Sequence, residues 1–348
     1  MTHWTPILAD TPLTLAADAT VLAADATRDV AQARDGAVMV PLTHLRSISA
    51  TGEDAAGYLH NLLSNDVKKL PDDAAQWTSF NSPKGRMLAS MLLWHIDGGY
   101  RLTLAADVHA AMLRKLSMFV LRSKVKLADG GATRALLGVS CPTLSDCLGG
   151  AKLPVPAAPM RAATRDDVCV IRLDPTRAVI DAPADAMAAI WQALAARDVA
   201  PAGTAAWQWL DVQAGIPLIT ERTQDAFVAQ MLNYELIGGV NFKKGCYPGQ
   251  EIVARTQYLG KLKKRMYRVL APSNTAPAVG DELYSPAFDD QSVGKLVTVA
   301  PSPTGGFEAL AVMQMQAADS GQLHLGAPDG APLRLASLPY ALDVPAAS

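Results

Sequence analysis

The residue with the most evident chemistry in this chain is Cys246, within the stretch KKGCYPGQE at 243–251. A lysine pair and a Pro-Gly dipeptide flank it, so the sulfur has almost no apolar cover in the sequence. The YPGQ sequence at 247–250 fits a type II turn, because proline fixes the second position and glycine takes the positive φ of the third. A helix over 250–259 would then leave the thiol just before its N-terminal end.

Two functions are open for this cysteine. Positive charge from Lys243 and Lys244, together with the helix dipole, would favour the thiolate form, which is the nucleophile and the metal ligand. A buried, inert cysteine prefers apolar neighbours. The residues alone therefore leave open a functional thiol or ligand contact and a structural thiol. The other cysteines lie in strand-like or loop segments and are predicted to be structural: Cys141, Cys147 and Cys169.

The segment 243–268 concentrates positive charge. It holds eight lysines and arginines and one acid, Glu251, for a net charge of +7, whereas the whole chain has a net charge of -2. Such a segment is an anion-binding footprint. The alternative is a solvated strand and helix face, since basic runs are common.

Two further polar stretches could contribute to a site. FVAQMLNYELIGGVNF supplies Gln230, Asn233 and Glu235 just before the cysteine turn, and these groups are suited to hydrogen-bonding the edge of a heterocycle. Alternatively, they cap and solvate a helix. NSPKGRM places Lys84 and Arg86 at a hairpin tip, where side chains project into a cleft or simply into solvent.

Composition limits the class of protein. A chain of 348 residues with 18% charged residues is typical of a globular protein with two or three domains. Four cysteines at irregular spacing favour a reducing compartment, and no secretory signal or bilayer-length apolar run is evident, so we expect a cytoplasmic protein without a membrane segment. No metal site is indicated. Four histidines have no carboxylate or cysteine at ligand spacing and are predicted to be structural: His44, His60, His95 and His109.

The periodicity predicts an α+β chain. Residues 1–36 are expected to form a loosely attached lead-in containing one helix. A helix follows Thr51, with capping-box spacing to Asp54, and then hairpin strands over 77–106 and a helix over 107–125. Short strands come next, followed by helices over 182–198 and 204–217. From residue 264 onward the strands predict a small antiparallel barrel or sandwich. The first of these helices is expected to bury Tyr58, Leu59, Leu62 and Leu63.

The cysteine segment also resembles a known family. KKGCYPGQEIVARTQYLGKLKKR is similar to the K-G-C-Y-x-G-Q-E motif of the YgfZ group, relatives of the glycine-cleavage T-protein (aminomethyltransferase) that bind folate and support iron-sulfur proteins. ATGEDAAGYLHNLLSNDVKKL resembles a segment shared with the T-protein, and WLDVQAGIPLI and QMLNYELIGGVNF resemble the stretch before the cysteine. Together these matches span most of residues 40–270.

The resemblance implies a fold and a cofactor. The fold would be a three-domain aminomethyltransferase-like α+β fold around a central channel, divided at 37–130, 131–255 and 260–345, with an antiparallel β-barrel last and the first two domains interleaved. Tetrahydrofolate or a derivative would bind at the channel, and Lys84 and Arg86 would lie nearby. The residues that would line or shape this site are Lys244, Gly245, Cys246, Tyr247, Gly249, Gln250, Glu251 and Arg255.

One departure from the T-protein bears on the reaction. NSPKGRMLASML has no acid between Asn81 and His95, where aminomethyltransferases resemble one another in carrying a catalytic aspartate. A carboxylate is what would organise proton movement around folate, so its absence argues against glycine-cleavage chemistry. Whether the chain is an enzyme stays open.

Two functions follow as expectations. The first is a folate-binding accessory protein for iron-sulfur cluster assembly or repair, with Cys246 as the reactive thiol, working with iron-sulfur client or assembly proteins and with tRNA modification. The alternative is a folate-dependent one-carbon transferase acting on a small amine or RNA, with Glu235 or Glu251 as its carboxylate. The residues expected to contact tRNA are Lys261, Lys263, Lys264 and Arg265.

Overall fold

The computed structural model describes residues 3–260, 262–272 and 275–342. Its strands, in chain order, are β1 (Leu13–Leu15), β2 (Val21–Ala23), β3 (Val38–Pro41), β4 (Leu45–Thr51), β5 (Ala75–Asn81), β6 (Met87–Ile96), β7 (Gly99–Ala105), β8 (Lys126–Asp129), β9 (Arg134–Ser140), β10 (Ala162–Arg165), β11 (Val168–Arg172), β12 (Arg177–Pro183), β13 (Ala200–Pro201), β14 (Lys264–Ala271), β15 (Glu282–Tyr284), β16 (Gly294–Pro301), β17 (Phe307–Gln314), β18 (Leu323–Leu325) and β19 (Ala331–Ala336). Its α-helices are α1 (Trp4–Leu8), α2 (Ala26–Asp35), α3 (Ala55–Leu62), α4 (Ala106–Ser117), α5 (Leu144–Gly150), α6 (Met187–Ala195), α7 (Thr204–Ala214), α8 (Gln250–Tyr258) and α9 (Met315–Ser320).

One five-stranded antiparallel sheet has the order β5-β6-β7-β4-β8. The predicted hairpins are confirmed: β5 and β6 are joined by the turn at 82–85, where Gly85 has φ 73°, and β6 and β7 by the turn at 97–98. Helix α3 packs on this sheet, and all four of its predicted apolar residues are buried in the same core.

Two helix boundaries differ from the prediction. The capping box before α3 does not form, because the carboxylate of Asp54 accepts a hydrogen bond from the backbone N–H of Lys124 (2.8 Å) instead of from its own helix. Helix α4 ends at Ser117, well short of residue 125. Beyond it, Met118 is 75% and Leu121 is 87% exposed, so the apolar run leaves the core once the helix stops.

A second, six-stranded sheet has the order β10-β11-β12-β9-β3-β13. Its β3–β13 pair is parallel, and β3 also pairs with β9, which follows the whole first sheet in the chain. The division into domains at residues 130 and 260 stays a prediction.

The prediction of a loosely attached N-terminal segment is wrong. Residues 4–35 form two helices, and β1 and β2 pair as a hairpin. Trp4 is 2% exposed and packs edge-on against Trp191, with ring centroids 6.1 Å apart. Leu13 and Val21 are buried in the same core. The apolar residues are too widely spaced to show a local period, yet each reaches the core of the six-stranded sheet.

The C-terminal strands close into a barrel in the order β14-β17-β16-β15-β18-β19. This arrangement confirms the α+β class with a C-terminal antiparallel barrel. Of the two predicted alternatives, the barrel is correct and the sandwich is not. Among the described residues, no helix combines the length and the apolar character needed to cross a bilayer.

Candidate functional site

The cysteine turn has the geometry that its sequence predicts. Gly249 has φ 76° and ψ 4°, the positive-φ third position of a type II turn. The backbone N–H of Gln250 donates to the carbonyl of Tyr247 (3.1 Å), and α8 begins at Gln250. Local residue preferences therefore fix the backbone on which the thiol stands.

The Cys246 thiol is exposed, and it makes no hydrogen bond to the described residues. The other three cysteines are buried, as predicted. Burial raises the pKa of the Cys147 thiol to about 12 and that of Cys169 to about 11, which keeps both protonated and inert. Only the thiol in the turn is both accessible and surrounded by polar groups in the described chain.

The predicted hairpin tip lies directly against this turn. A Cβ atom on Gly249 would come within 2.4 Å of the Ser82 carbonyl oxygen and 2.6 Å of the Gly85 Cα, so the two backbones are in contact. Lys84 is exposed on the same tip. The side chain of Arg86 is also exposed, and its guanidinium donates to the carbonyls of Asp225 (3.2 Å) and Ala226 (3.1 Å). The structure thus brings two segments that are far apart in sequence to one place.

Lys244 points into the protein, whereas the sequence suggested that it lines an anion site. Its ammonium donates to the carbonyls of His60 and Leu63 (2.6 Å to the latter), at the C-terminal end of α3, and lies 4.7 Å from the centre of the Tyr247 ring. A cation at that end of a helix is favourable. Burial lowers the pKa of Lys244 to about 8, with Asp66 and Cys246 opposing the shift. Lys244 therefore ties the cysteine turn to α3.

His60 and Asp66 belong to the same cluster, although the sequence suggested a structural role for His60. The His60 Nδ1 lies 3.1 Å from an Asp66 carboxylate oxygen, and its Nε2 lies 3.6 Å from where a Cβ on Gly245 would be. Burial, and then the charge of Lys244, lower the pKa of His60. Its position next to the cysteine turn depends on tertiary contacts, so no local spacing could have revealed it.

The polar groups before the turn are used within the protein. Gln230 Nε2 donates to the Val253 carbonyl of α8 (2.7 Å), and Asn233 Nδ2 donates to the Met266 carbonyl of β14 (2.8 Å). Glu235 forms an ion pair with Arg265, and burial raises the pKa of this glutamate. These three side chains join the 229–235 segment to α8 and β14, so the heterocycle-reading role proposed for them does not match their contacts.

The basic segment is less open than its charge suggests. Arg265 is only 12% exposed because it pairs with Glu235, and Arg268 pairs with Glu308 (2.6 Å). The ion pair and the low exposure of Arg265 give no support to a phosphate contact there, so that contact stays a prediction. Lys263 is exposed and Lys264 half-buried. The predicted contact at Lys261 lies outside the described residues.

Of the remaining predicted site residues, some are buried or bonded within the turn and others are exposed to solvent. Tyr247 is buried, and burial raises its pKa to about 12. Gln250 Nε2 approaches the Lys244 carbonyl (3.4 Å). Glu251 and Arg255 are exposed on α8. Gly245 is exposed and leaves room beside the His60 ring.

A cavity of the described chain lies away from the cysteine turn. It has a volume of about 340 Å³ and sits between the N-terminal segment, the start of α4 and the start of β9. A second, open depression borders α3 and residues 121–123. No predicted site residue lines either of them. No group of three or more metal-ligating side chains occurs in the described ranges.

The residues near the thiol fit one part of a reduced folate. Its glutamate tail is anionic, and Lys84, Lys243 and Arg255 are exposed cations without an ion-pair partner in the described chain. The pterin end fits less well. Gln230 Oε1 and Glu235 Oε2 are buried acceptors without a partner among the described residues, yet neither lines a described cavity.

Comparisons with known proteins agree with the motif. The chain is 28% identical to the tRNA-modifying protein YgfZ of Sodalis glossinidius over 87% of its own length and 93% of that protein. It is 29% identical to the protein of the same name from Edwardsiella ictaluri, over 87% and 94% of the two chains. No protein-family model matches.

A solved structure provides the fold comparison. The crystal structure of glycine cleavage system aminomethyltransferase T from Bartonella henselae superposes with a TM-score of 0.76, covering 90% of this chain and 89% of that one, at 17% identity. At that identity the likeness concerns the fold. The predicted resemblance is confirmed: the chain is similar over most of its length to the YgfZ proteins and has the aminomethyltransferase fold with a closed C-terminal β-barrel.

Proposed function

We propose that this chain is a folate-binding protein that acts in tRNA modification, as an accessory factor for iron-sulfur cluster assembly or repair, with Cys246 as its reactive thiol. The observation that carries the proposal is the exposed Cys246 on a turn packed against the 82–85 hairpin tip. Its support from known proteins is the likeness to proteins named tRNA-modifying and to the aminomethyltransferase fold.

Folate would be held first by its anionic tail. Lys84 on the adjacent hairpin tip, Lys243 before the turn and Arg255 in the last turn of α8 are exposed, and exposed cations attract carboxylates over about 10 Å at ordinary salt. Each added glutamate on the folate should therefore strengthen binding, and salt should weaken it.

Titration with tetrahydrofolate monoglutamate and pentaglutamate, followed by calorimetry, tests this part. We expect both to bind, the pentaglutamate more tightly, with an advantage that shrinks in the double variant Lys84→Ala, Lys243→Ala. Lys295→Ala, at an exposed lysine of the barrel that pairs with Glu282, is the matched control and should change neither affinity. Failure of both folates to bind would contradict the cofactor assignment.

The iron-sulfur role is tested in cells. Deletion of the gene should lower the activity of iron-sulfur enzymes, and Cys246→Ser should fail to restore it while the wild-type chain succeeds. Because a serine hydroxyl is neither a soft ligand nor a thiolate nucleophile, full rescue by the serine variant would remove the thiol from the account.

Contact with tRNA would use Lys263, the exposed lysine just before β14, with the half-buried Lys264 beside it. Phosphate contacts release counterions, so tRNA affinity should fall steeply as salt rises. An affinity that does not change with salt would contradict this contact. Lys263→Ala should weaken binding of all tRNA sequences alike.

A one-carbon transferase is the second candidate, and a single observation leaves room for it. Glu235 is engaged by Arg265, but the carboxylate of Glu251 is exposed in the first turn of α8, near the thiol. Incubation with methylene-tetrahydrofolate and candidate amines or RNA would reveal folate consumption that Glu251→Gln abolishes. No consumption would count against this candidate.

A further inference from the structure

We infer that Cys246, His60 and Asp66 form a nucleophilic site in which His60 accepts the thiol proton, and that the lysines around it direct this site toward small anionic electrophiles. The inference deepens the proposed function at the same thiol and rests on it only for the claim that the thiol is used. A chain that binds no folate would still show the reactivity predicted below.

The geometry of the histidine supports this role. The Nδ1 side of the imidazole faces the Asp66 carboxylate at 3.1 Å, and the ring is buried, with only 11% of the side chain exposed. The Nε2 atom makes no hydrogen bond to a described residue and is directed at Gly245, whose missing side chain leaves the space open. The contact between Nδ1 and Asp66 lies outside hydrogen-bond geometry, so the carboxylate acts on the ring through its charge. A carboxylate beside one imidazole nitrogen, with the other nitrogen free, is the arrangement from which a general base can serve a neighbouring nucleophile.

Cys246, one residue beyond Gly245, is the nucleophile that we pair with this nitrogen. Its thiol follows Gly245 directly, is exposed, and has no hydrogen bond to the described residues that would hold it in one rotamer. Rotation about its Cα–Cβ bond, or a bridging water, would place the S–H proton at Nε2. Such contacts often tighten only when substrate is bound.

Burial and the charges around His60 determine the protonation state of the imidazole before the transfer. Lys244 and Lys68 lower the pKa of the imidazole, while Asp66 opposes them, and burial is the largest cause of the lowering. Lys69 also lies 3.9 Å from the Asp66 carboxylate. The imidazole is therefore neutral near pH 7 and free to take a proton. Asp66, beside Nδ1, acts as a positioning residue whose charge stabilises the protonated ring.

The step is balanced within the site. The proton leaves the sulfur for Nε2, and the sulfur becomes a thiolate beside the Lys244 ammonium. The thiolate then attacks a carbon or sulfur electrophile, whose leaving group departs with the bonding electron pair, while the imidazolium returns its proton to solvent. After the first transfer the cluster holds two positive and two negative charges: Lys244, His60, Asp66 and Cys246.

The choice of electrophile follows from the exposed lysines. Lys68 and Lys243 are exposed, and neither pairs with an acid of the described chain. Lys68 is near enough to lower the pKa of both His60 and Lys244, and Lys243 precedes Lys244 in the chain. An anionic reagent should therefore be concentrated at the thiol relative to a neutral one of the same shape. Iodoacetate and iodoacetamide are such a pair.

The test is the rate of Cys246 alkylation from pH 5.5 to 9, read by peptide mass spectrometry on the full chain. We expect the wild type to react at pH 7 at least about 10-fold faster than His60→Gln, and with a flatter pH profile. Asp66→Asn, which can still accept the Lys69 N–H that caps the following turn, should give an intermediate rate. Equal rates and pH profiles for the wild type and His60→Gln would overturn the proposal.

Two controls keep the test decisive. The buried thiols of Cys141, Cys147 and Cys169 report on folding, because they stay unalkylated only in a native chain. Gly245→Ala places a methyl group 3.6 Å from Nε2, at ordinary contact distance and without a positive φ, so it should separate the imidazole from the thiol in a folded chain. A Gly245→Ala rate equal to that of the wild type would also count against the proposal.

The anionic preference has its own readout. The ratio of iodoacetate to iodoacetamide rates at Cys246 should exceed that of N-acetylcysteine by several-fold at low salt and approach it at 1 M salt. A ratio equal to that of the free thiol at low salt would overturn the assignment of the lysines. Neither outcome depends on folate, so failure here and failure of folate binding can be told apart.

Discussion

Two neighbouring stretches, 230–235 and 244–250, carry the same kinds of polar side chains in opposite environments. In the first stretch, which is mostly buried, Gln230 donates a hydrogen bond to α8 and Asn233 donates one to β14. Glu235 forms an ion pair with Arg265. In the second, the backbone of the turn is fixed, while the thiol of Cys246 stays in solvent. The comparison shows that a polar stretch becomes a candidate site only where its groups are left without a protein partner.

The two stretches also differ in what substitutions should do. Changes in the buried stretch should act on stability, and changes in the turn should act on chemistry. Lys244 is the exception: it belongs to the turn in sequence, but its side chain is buried against the end of α3. Its substitution should therefore act on stability.

The largest expected effect is in the buried stretch. Glu235→Ala leaves the Arg265 guanidinium buried without its counter-charge, which should lower the free energy of unfolding by about 3 to 5 kcal/mol. Glu251→Ala, at an exposed acid on α8, is the matched control and should change it by less than about 0.5 kcal/mol. Urea denaturation measures both, and equal effects would erase the distinction between the two stretches.

The next effect comes from the contact between the turn and the hairpin tip. Gly249→Ala combines a positive φ of 76° with a Cβ only 2.4 Å from the Ser82 oxygen, so we expect a loss of about 2 to 3 kcal/mol. Gly98 has a similar φ of 67° with open space around it, and Gly98→Ala should cost about 1 kcal/mol. Thermal and urea unfolding compare the pair; a smaller loss at Gly249 would mean that the contact is not rigid.

Adjacent lysines provide the third comparison. Lys244→Met removes the donor to two carbonyls at the end of α3 and should lower the free energy of unfolding by about 1 to 3 kcal/mol. Lys243→Met, at an exposed side chain, should change it by less than about 0.5 kcal/mol.

Lys244 should also leave a signature in the pH dependence of stability. Its pKa is about 8 in the folded chain and 10.5 in the unfolded reference, so between these values the unfolded state binds more protons. Relative to Lys244→Met, the free energy of unfolding of the wild type should therefore rise with pH over that window, because the folded chain no longer confines a charged ammonium. The comparison cancels the opposing contribution of the buried thiols of Cys147 and Cys169, whose raised pKa lowers stability as pH rises above about 9 in both chains. An identical pH dependence of stability in the two chains would contradict the assignment to Lys244.

The smallest effect is expected at the thiol itself. Cys246→Ser should change the free energy of unfolding by less than about 0.5 kcal/mol, since the side chain is exposed. Cys169→Ser, which places a hydroxyl in the core of the six-stranded sheet, should be clearly destabilising. A large loss for Cys246→Ser would show that the sulfur supports the fold.

The sequence predicts the parts of this molecule that depend on local rules. The turn at 247–250, the start of α8 and the hairpin tip at 82–85 follow from proline and glycine preferences, and the buried face of α3 follows from its period. The direction of each side chain depends on partners far along the chain. Lys244 contacts α3, Glu235 contacts β14 and His60 contacts Gly245 only in the folded chain. The sequence therefore overestimated how much positive charge is exposed in the basic segment, and it did not predict that His60 lies beside the cysteine turn.

The central claim is that a reduced folate binds beside the accessible thiol of Cys246, and one measurement tests it directly. The rate of Cys246 alkylation by iodoacetamide should be measured as tetrahydrofolate is added, in parallel with calorimetric binding. The account predicts that folate protects the thiol with the same midpoint as its binding. Folate that binds without changing the alkylation rate, or that does not bind at all, would contradict it.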